Sequence, residues 1–173
     1  MARATTLRHS EARLRSLPWG EVTIAGLAAG MAGGVLMAVG AMVHAAIAGL
    51  DLLFPLRMIG ATFVGPAALV GGAAAVAYGL ALHMLVSMGL GVAFAALVNH
   101  TTTAGPALIG GTAFALSSML VMSAVVVPLV NPQMAVRLPT MAYGWFAQFL
   151  LFGIGLALAP ALRRHIASPL DPS

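Results

Sequence analysis

Four long stretches of this chain carry no Asp, Glu, Lys or Arg: about Val22 to Leu50, Val76 to Val98, Ala104 to Val130 and Met141 to Leu162. Each meets the roughly 20 residues that a helix, rising about 1.5 Å per residue, needs to cross about 30 Å of hydrocarbon. A bilayer has no water to satisfy backbone groups, so spanning segments are either helices or strands of closed barrels. The strict apolar/polar alternation of barrel strands is missing here. The expected class is therefore all-α: a polytopic membrane protein with a four-helix transmembrane bundle made of two tandem helical hairpins and short interfacial helices.

Little is left for anything soluble. Hydrophobic residues make up 61% of the 173 positions and charged residues 7%, against about 25% charged in a typical soluble domain. Residues 1–21 read as a basic N-terminal segment, 22–165 as one four-span domain with repeat halves of about 22–100 and 104–165, and 166–173 as a tail. There is no cysteine, which excludes disulfides, thiolate metal sites and a cysteine nucleophile.

All eight basic residues are arginine. Arg3, Arg8, Arg13 and Arg15 precede the first span, and Arg163 and Arg164 follow the last. The positive-inside rule then expects both termini in the cytoplasm, in a bacterial inner membrane, and an even number of spans agrees. Arginines clustered at span ends are topology signals, and no nucleic-acid partner is expected. Ala46-Ile-Ala48 resembles a signal cleavage site, but the apolar run before it exceeds the roughly 7–15 residues of a signal core. An uncleaved anchor is expected. Leu7, Leu14, Leu17 and Trp19 among the N-terminal arginines suggest either a short helix on the anionic leaflet or a disordered basic tail.

The chain repeats itself. Ala77-Tyr78-Gly79 through Leu97 and His100 aligns without a gap on Ala142-Tyr143-Gly144 through Leu162 and His165. Upstream, Gly30 pairs with Gly110, Leu36 with Leu116, Met42 with Met122, Asp51 with Asn131 and Arg57 with Arg137. Asn131-Pro132 is a helix-start signal, an Asn cap followed by Pro at the first helical position, and Asp51 is expected to cap the equivalent helix. Each half then reads as a span, a capped interfacial helix with Arg six residues on, and a returning span. Asp51, Arg57, Asn131, Arg137, Tyr78 and Tyr143 are candidate interfacial anchors. Two halves of like orientation predict a pseudo-twofold axis along the membrane normal. The first half holds extra residues, about Ile59 to Ala75, which fit a re-entrant piece, an interfacial piece or a longer second span starting near Pro66.

Small residues recur at helical spacing. Gly26, Gly30, Gly33, Met37, Gly40, His44 and Ala48 form one stripe, and Gly79, His83, Ser87, Gly91 and Ala95 recur every four residues. Such stripes let helix backbones approach closely, so both histidines are expected to face protein. Counted from the span ends, His44 and His83 lie at similar depth and are expected within reach of each other.

Three readings of that pair stand open. One is a neutral imidazole bonded to Ser87, Gln148 or a backbone carbonyl. Another is a binding site or proton path through His44, His83, Ser87, Gln148 and Asp51. The third is haem or copper, with His44 and His83 joined by Met84 and Met88, since thioether and imidazole suit Cu(I). Methionine also fills apolar cores freely. No motif of a soluble enzyme is present: no Walker loop, no HExxH, no Gly-x-Ser-x-Gly. A non-enzymatic protein without a resident cofactor is expected.

Gly49-Leu-Asp51, Pro55, Ile59-Gly-Ala-Thr-Phe63 and Gly79-Leu-Ala-Leu-His-Met84 with Ser87 resemble a pattern in a family of small four-span bacterial inner-membrane proteins. The resemblance covers the first half well and the second poorly. It implies location and architecture, and it supplies no activity and no functional residue. With glycine-rich faces that can dock other helices, the expected role is an accessory or assembly subunit that meets other membrane subunits or its own copies within the lipid bilayer. A small oligomeric transporter or channel is the alternative.

Overall fold

The computed structural model describes residues 19–167, so the expected interfacial helix or tail before Trp19 lies outside the described residues. The helices are α1 (Trp19–Ile47), α2 (Phe54–Val64), α3 (Ala73–Leu97), α4 (Ala104–Val130), α5 (Pro132–Ala135), α6 (Ala142–Leu156) and α7 (Ala159–Ala167). Tight helical turns at Gly65–Val70 and Leu138–Met141 lead into α3 and α6. Among the described residues, four helical runs are long and apolar enough to cross a membrane: α1, α3, α4 and Leu138–Ala167, which contains α6 and α7. The all-α bundle expected from the apolar blocks is what forms, with no strand among the described residues.

Close backbone contact holds the spans together. A Cβ added to Gly91 of α3 would lie 2.6 Å from the Gly30 Cα of α1, and one on Gly34 would lie 2.8 Å from the Ser87 Cβ. Neither distance is physically available to a larger residue. On a different side of α1, a Cβ at Gly33 would meet Phe152 at 2.8 Å and one at Gly40 would meet Leu151 of α6 at 2.5 Å. The single glycine stripe expected on α1 is therefore two seams. α1 lies between α3 and α6, and positions three and four apart fan over a wide arc that serves both neighbours. A third seam joins α4 to α6, where a Cβ on Gly153 would lie 2.7 Å from the Thr112 Cα.

The resulting order across the bundle is α3, α1, α6, α4. A pseudo-twofold would require α3 to pack along α4 as fully as α1 packs along α6. It does not, and the two make no extended contact. Among the contacts that join them, the Phe94 and Phe114 rings have centroids 5.5 Å apart, near the end of the bundle where α1 begins and α7 ends. We call this the terminal end and its opposite the far end.

The inserted residues explain the broken symmetry. α2 runs antiparallel to the first turns of α3, with Gly60 against Ala75 and Gly79 against the Leu56 carbonyl. Of the alternatives for Ile59 to Ala75, the second span does not begin near Pro66; the chain dips into the bundle and α2 climbs back out. Gly71 and Gly72, with φ of +141° and +110°, make the reversal into α3, a backbone region that side chains with a Cβ rarely enter. The opposite side of α2 meets the end of α4 and α5, where Met58, Val127 and Met134 form a small buried cluster. α2 thus stands between α3 and α4 at the far end.

At the terminal end, Arg163 is buried and donates hydrogen bonds to the carbonyls of Ala95, at 3.0 Å, and Val98. Arg164 donates to the His100 and Thr102 carbonyls, each at 2.9 Å. The last carbonyls of a helix have no partner within it, and here a helix from the other half supplies one.

Candidate functional site

Where α3 and α4 stand apart, a cavity of about 680 Å³ opens between them, backed by α1 and α6 and roofed at the far end by α2 and the α5 turn. That volume falls in the range of about 300–1,000 Å³ usual for small-molecule sites. Met37, Leu90 and Phe152 line its inner end, while Leu50, Arg137 and Thr140 line it at the far end. On α1 alone the lining runs from Met37 to Ala48, about 16 Å of helix rise.

Local sequence shapes the wall. Pro128 has no N–H to offer and would crowd the carbonyl of the preceding turn. α4 answers with a wide π turn at Met122–Val126, closed by the Val127 N–H donating to the Met122 carbonyl. The widened turn borders the cavity through Met122 and Val126. Beside it the Trp145 indole donates to Ser123 Oγ at 2.8 Å, tying α6 to α4. Such turns concentrate at functional sites.

Of the polar residues singled out from the sequence, His44, His83, Ser87 and Gln148 all line this one cavity. Asp51 does not. Its side chain is 56% exposed, paired with Arg57, and its Oδ1 accepts from the Leu53 N–H at 2.8 Å. The two histidines share the cavity but stand at different levels. His83 Nε2 lies 2.9 Å from the Gly34 carbonyl, ten residues before His44 on α1 and thus about 15 Å along the axis. The expected meeting of the pair fails because His83 lies ten residues into α3, which starts at Ala73, whereas His44 lies three residues before the end of α1.

His44 packs instead against α6, where Gly144 leaves room for its ring; a Cβ there would lie 2.6 Å from His44 Nε2. Met84 and Met88 do not line the cavity, and they flank the α1–α3 seam beside Gly34 and Gly30. Among the described residues no group of three or more His, Cys, Asp or Glu is placed to hold a metal ion.

The capping expectations divide. Asn131 is buried, caps α5 by accepting from the Met134 N–H at 3.0 Å, and donates to the Met58 carbonyl at 2.8 Å and Thr62 Oγ1 at 3.0 Å. Its amide thereby ties the two short helices together. Asp51 caps a turn ahead of α2, whose own N-cap is Leu53. Tyr78 and Tyr143 are 52% and 93% exposed, on the outside of the bundle.

Two features of the cavity, at residues named from the sequence, appear only in the structure. Gln148 is a buried residue that lines the cavity and makes no hydrogen bond among the described residues, its amide being open to the chamber. Arg137, expected to act as an anchor, lines the cavity as well and donates one N–H to the Gln133 carbonyl at 2.6 Å. The signal for the second was present: Asn131 stands where the other half has Asp51, so Arg137 lacks the acid that Arg57 has.

Among the described residues no serine or threonine hydroxyl is hydrogen-bonded to a histidine ring. The arrangement offers an apolar chamber with a few convergent hydrogen-bonding groups, at a place where α3 and α4 make no extended contact. Comparison with known proteins finds no family model that matches the chain, no similar curated protein and no similar solved structure.

Proposed function

We propose that this chain is a non-enzymatic integral membrane protein of the bacterial inner membrane that holds a small, mostly apolar solute in its intrabundle cavity and acts as a carrier for it. The observation that supports this most is the unbonded Gln148 amide in a chamber of about 680 Å³. The Gln148 amide is open to the chamber and makes no hydrogen bond among the described residues, so a solute held there can bond to it. The lateral gap between α3 and α4 suits a solute that arrives from the lipid phase. Under the positive-inside rule the terminal end, with Arg163 and Arg164, faces the cytoplasm.

The glycine faces that favoured an accessory subunit are occupied within the chain, which shifts weight toward solute binding. One observation still favours a docking role. α4 is the least buried span, with Leu108, Ile109, Leu120 and Leu129 exposed. Native mass spectrometry of protein extracted from its own membranes in mild detergent tests both readings. A small non-covalent adduct on the wild-type protein, absent from Ala41→Phe, supports the carrier. A stoichiometric partner protein with no adduct supports the subunit and defeats the carrier.

A further inference from the structure

We infer that the cavity takes an amphiphile with an ionised acidic head, its head at Arg137 and its apolar chain directed toward Phe152 and Met37. This rests on the solute-binding reading and adds the chemical class of the solute. The charge balance of the site points to it. The described residues include two acids, Glu21 in the first turn of α1 and Asp51. Asp51 is engaged by Arg57, and it does not line the cavity. Arg137 does line it, half-buried, with no carboxylate within ion-pair distance among the described residues.

The cavity therefore carries one cation and no anion. A guanidinium remains ionised in any such setting, and a partly desolvated charge is stabilised by an ionised partner that bonds to it. Thr140 lines the cavity near the same end and adds a hydroxyl. Beyond these groups the lining toward the bundle centre is apolar, with Val86, Leu90, Met122, Phe149 and Phe152. Between head and tail, the unbonded Gln148 amide selects a solute with a polar atom partway along its length.

A carboxylate and a phosphate monoester share the acidic-head chemistry, and a bilayer phospholipid could also offer a phosphate to Arg137 from outside. The cavity has its own reporter, because Trp145 lines it and Trp19, the other tryptophan, sits at the opposite end of the bundle. Trp19→Phe protein in phosphatidylcholine nanodiscs at pH 8.5 is titrated with ω-bromoundecanoate, ω-bromoundecyl phosphate and ω-bromoundecanol, whose bromine quenches indole on contact. Saturable quenching by one or both acids at concentrations about tenfold below the alcohol is expected. Arg137→Gln removes that preference, Arg137→Lys retains it, and Ala41→Phe removes saturable quenching altogether.

Equal potency of acid and alcohol in the parent protein overturns the acidic-head inference and leaves solute binding standing. So does an acid preference that survives in Arg137→Gln. Quenching by acids that persists in Ala41→Phe but is lost in Arg137→Gln places the head on the rim, as for a bilayer phosphate, and also overturns the inference. Absence of saturable quenching by all three probes defeats the solute-binding reading itself. Circular dichroism and elution volume show that each variant is folded.

Discussion

The two halves of this chain start from matching residues and reach different ends. In the first half Asp51 pairs with Arg57 and both stay out of the cavity. In the second half Asn131 takes the place of the acid, turns inward to bond Met58 and Thr62, and leaves Arg137 on the cavity wall. One acid-to-amide difference thus separates an ion pair outside the cavity from a half-buried arginine on its wall with no acid beside it.

The largest contrast should come from Gly30 and Gly110, which occupy equivalent positions. A Cβ on Gly30 would press on the Met88 Cα at 2.8 Å, whereas one on Gly110 meets only the Phe94 ring, at 3.8 Å. Gly30→Val is expected to cost about 3 kcal/mol, the upper range for overpacking. Gly110→Ala should be neutral or add up to about 1 kcal/mol through helix propensity. Denaturant titration in mixed micelles, followed by circular dichroism, measures both. Equal losses would mean that the halves pack alike.

Next in size are Gly79 and Gly144, each following a tyrosine. Around Gly79 the obstacles are backbone, with the Gly60 nitrogen 3.0 Å from an added Cβ, and backbone cannot swing aside. Gly79→Ala should therefore cost about 2 kcal/mol. Gly144→Ala meets only the His44 ring, which can rotate. Its expected signature is a shifted His44 resonance by NMR with less than about 1 kcal/mol lost. An unmoved His44 resonance would sink that assignment.

The third contrast tests the divergent cap itself. Asn131→Ala removes three hydrogen bonds in a buried place and is expected to cost about 1.5 kcal/mol. Asp51→Ala breaks an ion pair whose acid is 56% exposed, so about 0.5 kcal/mol or less should be lost. Thermal unfolding of the two variants side by side ranks them, and a reversed order would undo the comparison.

Span number, helical class, close-packing glycines and the Asn131 cap were all legible, because each follows from local composition or spacing. What escaped depended on long-range geometry. Nothing between Gly26 and Gly40 tells which glycine faces which neighbour until the order α3, α1, α6, α4 is known. The dip of the chain before α2 was invisible for the same reason, since Leu56 and Gly79 meet across a reversal at Gly71 and Gly72. Gln148 and Arg137 were both named from the sequence, yet their convergence on one chamber required the gap between α3 and α4.

The buried Arg163 has a consequence for how the protein is made. Its guanidinium closes the end of α3 from 68 residues downstream of Ala95 and 65 downstream of Val98. A ribosome delivers α3 well before it delivers α7, so for that interval two carbonyls near the membrane surface depend on water or headgroups for partners. The second span can be inserted early but latched only late, and a nascent chain halted before Arg163 would hold an unfinished first hairpin.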